Sequence, residues 1–126
     1  MTVAYWCVLV AGLLPYLTVA IAKLRPGYDN RDPRAWLEQQ AGWRKLANNA
    51  QLNGFEAFPL FAAAVIIAHL SLAPQPTVDA LAAGFIAARV LYTWAYVSNR
   101  PTLRSAIWTA GIACPIALFF VAAAGR

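Results

Sequence analysis

The sequence predicts an all-α fold, an integral membrane bundle of four helices, and three observations predict it. Of the 126 residues, 61% are hydrophobic and 12% charged, against about 45–50% and 25% in soluble domains. Four stretches are long and apolar enough to cross a hydrocarbon core, which takes about 20 residues. The basic residues collect between these stretches rather than within them. The whole chain, residues 1–126, reads as one such domain, with no low-complexity segment and no internal repeat.

The first stretch, Val3 to Ala22, carries no charge. No basic region precedes it and its apolar run is long, so it reads as a span rather than a cleaved signal. Pro15 falls inside it and predicts a bend, because proline removes a helical hydrogen bond and crowds the preceding turn. Ala57 to Val78 is the second stretch. Ala80 to Asn99 is the third, broken only by Arg89, and Ser105 to Gly125 is the fourth. Only helices satisfy every backbone polar group in hydrocarbon without closing a barrel.

Orientation follows from the connections. Lys23, Arg25, Arg31, Arg34, Arg44 and Lys45 lie between the first and second spans, and Arg100 and Arg104 lie between the third and fourth. The turn SLAPQPTVD between the second and third has neither Lys nor Arg. The positive-inside rule places the two basic connections in the cytoplasm. This bias accounts for the +5 net charge without a nucleic-acid partner. Trp36 and Trp43 read as interfacial anchors. The Arg31–Arg34 region reads as a solvated loop or short surface helix. Ala106, Ala110 and Ala113 suit close helix packing.

Cys7 and Cys114, each in an apolar span, read as free thiols. His69 reads as an interfacial residue. No metal-ligand spacing, phosphate-binding glycine loop or Ser/His/Asp pattern is present, so no metal is expected.

The informative residues are polar ones inside the spans, which are costly there and default to a functional reading. Glu56 follows a run without charge from Leu46 to Phe55 and precedes another from Ala57 to Val78. Lys45, Asn49, Asn53 and Glu56 fall at spacings that place them on one helix face, with Gln51 off that stripe and Asn48 partly so. Arg89, Tyr92 and Tyr96 form a matching face on the third span. Arg104 stands near the start of the fourth, which Pro101 can begin at no cost in hydrogen bonds. The two faces could line one polar cavity. A plainer reading also exists: amides hydrogen-bonding across helices, at about 0.6–2 kcal/mol each, with Glu56 and Arg89 neutralising one another.

RKLANNAQLNGFEAFPLF resembles a signature of the MAPEG family, the membrane-associated proteins in eicosanoid and glutathione metabolism. The shared residues are Ala50, Gln51, Asn53, Glu56, Pro59 and Phe61. ARVLYTWAY adds Arg89, Tyr92 and Tyr96, and NRPTLRS adds Arg104 and Ser105. The resemblance covers essentially the whole chain and is to a small bacterial-type member. It implies a homotrimer in a bacterial inner membrane, with glutathione bound between subunits near the cytoplasmic face. It implies that Gln51, Asn53 and Glu56 hold the tripeptide, Glu56 receiving its α-amino group. Arg89 would fix Glu56 or a glutathione carboxylate, Tyr92 and Tyr96 would hydrogen-bond the tripeptide, and Lys23 would reach a carboxylate from a neighbouring subunit.

Arg104 would be the catalytic residue, favouring the thiolate. The implied activity is a transferase or peroxidase acting on lipophilic electrophiles or hydroperoxides delivered from the bilayer. Two positions depart from the eicosanoid-forming branches: Asn49 stands where they place an arginine, and Ala57 where one places a tyrosine. Arg44 is the nearest replacement for the missing arginine. These departures motivate the alternative of a non-catalytic membrane protein of the same fold. A proton-coupled multidrug antiporter built on Glu56 is opposed by Arg89, which would repel cationic drugs.

Overall fold

The computed structural model describes residues 1–125. Helices α1 (Val3–Lys23), α2 (Pro33–Glu38), α3 (Trp43–Leu70), α4 (Gln75–Val97) and α5 (Pro101–Ala124) follow in order. No strand occurs among the described residues. All but α2 are long and apolar enough to cross a membrane, so the predicted four-helix architecture holds. Helix α1 packs on α3 and α4, and α5 packs on α4 and α3.

Two side chains anchor the start of α1. The Thr2 hydroxyl accepts from the Tyr5 amide at 3.1 Å, and Asp79 Oδ1 accepts from the Ala4 amide at 2.9 Å across the bundle. Both satisfy helix N-terminal donors that would otherwise lack a partner. Helix α1 runs through Pro15 without interruption. A Cβ added at Gly54 would stand only 2.8 Å from Pro15 Cγ, so the missing side chain lets α3 approach α1 at that level.

The helix boundaries differ from the apolar boundaries. Helix α3 begins at Trp43, well before the apolar stretch at Ala57, and it stops at Leu70. Backbone geometry ends it: Leu72 adopts φ +57°, its amide donates to the His69 carbonyl, and Ala73 donates to the Ala68 carbonyl, both at 3.1 Å. This pair of bonds is a Schellman ending, which hydropathy does not reveal. The turn shortens to the residues from Ser71 to Pro74, and Gln75 to Asp79 belong to α4. Asn99 ends α4 in the same way, at φ +57°, and Pro101 starts α5.

The main core is centred on Phe61 and Phe85, whose rings stack 4.0 Å apart at 7°. Val65, Val78 and Leu118 surround them. In lipid, close packing rather than water exclusion holds such helices together, and an aromatic pair adds about 0.5–1.5 kcal/mol. A smaller cluster joins Val19, Ala22 and Ala47 to Trp36 and Leu37 of α2. Trp36 is therefore not an interfacial anchor: it is 9% exposed and sits edge-on to Tyr28 at 4.9 Å. Trp43 does remain exposed.

The Arg31–Arg34 region is partly helical. Asp32 caps α2 through the Ala35 amide, and Pro33 follows it. Arg31 lies 3.0 Å from Asp29 and holds that carboxyl below the usual range by hydrogen bonding. On α5 the packed face is Gly111, Pro115, Leu118 and Ala122. Ala106, Ala110 and Ala113 point out of the chain instead. Cys7 and Cys114 are free and half-buried, and the His69 ring lies tilted against Tyr5, 4.8 Å between centres.

Candidate functional site

The polar residues of the spans build a ladder from the interior of the bundle to its Lys- and Arg-rich end. Arg89 of α4 is 8% exposed, and its Nη1 donates to Asn53 Oδ1 of α3 at 2.9 Å. Its guanidinium lies 4.3 Å from the centre of the Tyr92 ring. Tyr92, itself 5% exposed, meets Tyr96 edge-on at 5.7 Å. The Arg104 guanidinium of α5 then lies 4.5 Å from the Tyr96 ring. The order is amide, cation, phenol, phenol, cation. A cation on an aromatic face gains about 0.5–2 kcal/mol, more when desolvated, so the rings hold both guanidiniums in place.

Local helix geometry explains the ladder. Arg89, Tyr92 and Tyr96 recur at three and four residues along α4, so their side chains stack on one face. The Asn99 turn brings α5 back beside that face. Asn53, Tyr92, Tyr96 and Arg104 line an open groove of about 380 Å³, with Ser105, Trp108 and Thr109 of α5 opposite.

Glu56 follows Asn53 by three positions on α3 and is exposed. The Glu56–Arg89 pair of the plainer reading does not form. Arg89 points inward, where it also borders a small crevice beside Pro15, Gly54 and Thr93, whereas Glu56 is exposed. Among the described residues Arg31 and Asp29 form the one ion pair.

The single polar stripe expected on α3 also divides. Lys45, Asn49 and Gln51 border a second groove of about 720 Å³, with Tyr16 and Lys23 of α1. In it Gln51 Nε2 donates to Asn48 Oδ1 at 2.9 Å, and Asn48 is 8% exposed. With 3.6 residues per turn, each step of four advances about 40° around the helix. Asn53 therefore stands about 80° round the helix from Lys45 and borders the other groove, while Gln51 lies on the opposite side of the helix from Asn53. Arg44 does not fill the place of the missing arginine at position 49. It lies 4.3 Å over Trp43 and donates to the Leu24 carbonyl at 3.4 Å.

The structure thus joins Asn53, Arg89, Tyr92, Tyr96 and Arg104, with Glu56 beside them, and leaves Gln51 apart. Trp108 and Thr109 were missed as groove residues. Their spacing of one turn from Arg104 and Ser105 was the available signal. Asn48 belongs to the second groove more fully than its place partly off the stripe suggests, and its spacing of three residues from Gln51 is the sequence signal for that pair.

Chemically, the first groove suits an anionic ligand with many hydrogen-bonding groups. None of the curated proteins compared with the chain matches it. A family model described as the MAPEG family matches residues 3–124, and with nearly its whole length covered the chain belongs to the MAPEG family.

Proposed function

We propose that the protein is a glutathione-dependent membrane transferase or peroxidase acting on lipophilic electrophiles or hydroperoxides. The family includes glutathione-dependent transferases and peroxidases as well as non-catalytic members. The observation that carries the catalytic reading is Arg104, held on Tyr96 at the mouth of a groove of about 380 Å³. That volume lies within the roughly 300–1,000 Å³ of small-molecule sites.

In this reading Glu56 receives the α-amino group of glutathione. Asn53 and Tyr92 hydrogen-bond the peptide, Arg89 orients Asn53 and attracts a carboxylate, and Tyr96 positions Arg104. Gln51 and Lys23 act from the other groove. A single chain does not bring that groove to the same ligand, so this reading places the site between copies, in the homotrimer that the family resemblance implies. The Lys- and Arg-rich end faces the cytoplasm of a bacterial inner membrane.

Arg104 supplies a fixed positive charge that favours the ionised thiol without itself titrating. The thiolate attacks an electrophilic carbon, forming a C–S bond as the leaving group departs with its electron pair. With a hydroperoxide, the sulfur attacks the outer oxygen and the O–O bond breaks. The alcohol departs and the sulfur keeps the outer oxygen as a sulfenic acid, which a second glutathione converts to the disulfide with release of water. The exposed apolar surface around Trp108 admits such substrates from lipid.

The test is the ultraviolet absorbance of thiolate when glutathione is added at neutral pH. Wild type is expected to develop it and Arg104→Ala to lose it while still binding glutathione. Equal loss of binding and of thiolate would remove Arg104 from catalysis. Asn49 and Ala57 favour a second reading, a non-catalytic member of the family, which predicts no thiolate signal in either protein.

A further inference from the structure

We propose that Arg100 and Trp94 form a binding site for the headgroup of an anionic phospholipid, on the outer surface of the bundle and separate from the groove. The turn after α4 builds it. The Asn99 amide donates to the Tyr96 carbonyl at 3.0 Å and the Arg100 amide to the Ala95 carbonyl at 2.9 Å. The Arg100 carbonyl in turn accepts from the Arg104 amide at 2.9 Å. Arg100 is thus fixed by the end of one membrane helix and the beginning of the next, which sets the depth of its side chain.

That side chain folds back over Trp94, its guanidinium 5.1 Å from the ring centre. Trp94 is 49% exposed, at the level where tryptophan meets headgroups. Among the described residues the Arg100 guanidinium has no carboxylate partner and no hydrogen-bond acceptor. Its planar fork of donors remains free, and that fork matches a phosphate bidentately.

Charge and shape select the occupant. This end of the molecule carries Lys23, Arg25, Arg31, Arg34, Arg44, Lys45, Arg100 and Arg104 against Asp29, Asp32 and Glu38. Asp29 is engaged by Arg31 and Asp32 caps α2. The opposite end holds Asp79 and no Lys or Arg among the described residues. A basic surface at headgroup depth attracts anionic lipid. Below the indole, Leu91, Val90, Ala87 and Ala83 continue an exposed apolar strip along α4, which gives an acyl chain a path beneath its own phosphate. A free phosphate would leave that strip unused, so the phospholipid is the occupant. Arg44 over Trp43 repeats the arrangement at the start of α3, but its guanidinium is partly spent on the Leu24 carbonyl.

The experiment is thermal unfolding of the detergent-purified protein titrated with phosphatidylglycerol, or with phosphatidylcholine of the same acyl chains. Phosphatidylglycerol is expected to raise the midpoint more than phosphatidylcholine does. Arg100→Gln is expected to lose most of that difference and still to fold, since the guanidinium makes no hydrogen bond or ion pair among the described residues. Trp94→Leu is expected to weaken it, and Arg25→Gln to retain it. Inorganic phosphate alone is expected to give no rise. Equal effects of the two lipids, a full phosphatidylglycerol effect in Arg100→Gln, or a rise with inorganic phosphate would each overturn the proposal.

Discussion

The two faces of α3 carry similar amides in different settings. On one face Asn48 and Gln51 hydrogen-bond each other within the helix, beside a wide groove whose cations come from α1, the first connection and Lys45 of α3 itself. On the other face Asn53 is held by Arg89 from α4, and two arginines are seated on two tyrosines. The first arrangement is local, so it leaves the groove open and adjustable. The second spans three helices, so it fixes charge at defined points before any ligand arrives. Preorganised charge of that kind is what stabilises a developing anion. On the proposed reading, the chemistry belongs to the Arg104 face and further ligand contacts to the Gln51 face. That reading takes two copies of the chain to complete one site.

The largest expected effect tests the Arg104 face. Arg104→Ala should lower turnover with a lipophilic electrophile by about 10²–10³-fold, the scale of losing one preorganised anion-stabilising group. Glutathione affinity, read by titration, should change far less. Glu56→Gln comes next. Losing a charge-assisted contact of about 1.5–3 kcal/mol should weaken glutathione roughly 10- to 100-fold, whereas an unchanged affinity would place the α-amino group elsewhere.

Gly54→Ala tests what separates the two faces. Its Cβ would meet Pro15 and push α1, the source of Tyr16 and Lys23 in the second groove. Overpacking costs about 1–3 kcal/mol, so the unfolding midpoint should fall. An unchanged midpoint would mean that the helices are free to separate. The smallest effect is expected from Gln51→Ala. Losing a neutral hydrogen bond of about 1 kcal/mol should weaken glutathione about fivefold. A co-assembled mixture of Gln51→Ala and Glu56→Gln subunits should recover some full-affinity sites. A site within one chain would recover none.

Much of this was legible in the sequence, because membrane helices announce themselves by length and charge. The ladder was also legible: Arg89, Tyr92 and Tyr96 share a face by spacing alone, and the Asn-x-x-Glu pattern marked its partner helix. Three features were not. Leu72 and Asn99 end helices through positive φ, which hydropathy does not register. The polar stripe of α3 looked continuous because Lys45, Asn49 and Asn53 span only about 80° of the helix; what divides it is the packing of α1 on one side and α4 on the other, a tertiary effect. Trp36 looked like a membrane anchor because its burial depends on α2 folding back onto Val19 and Ala47, a tertiary contact with no periodic trace.

The most direct measurement is a glutathione titration of the purified wild type beside Glu56→Gln and Gln51→Ala, read by thermal unfolding. A ligand that binds only the folded protein must raise the midpoint in step with ln(1 + [L]/Kd). A composite glutathione site predicts a clear rise in wild type, a nearly complete loss in Glu56→Gln and a partial loss in Gln51→Ala. No rise in wild type at millimolar glutathione would contradict it, and so would a rise that both variants retain in full.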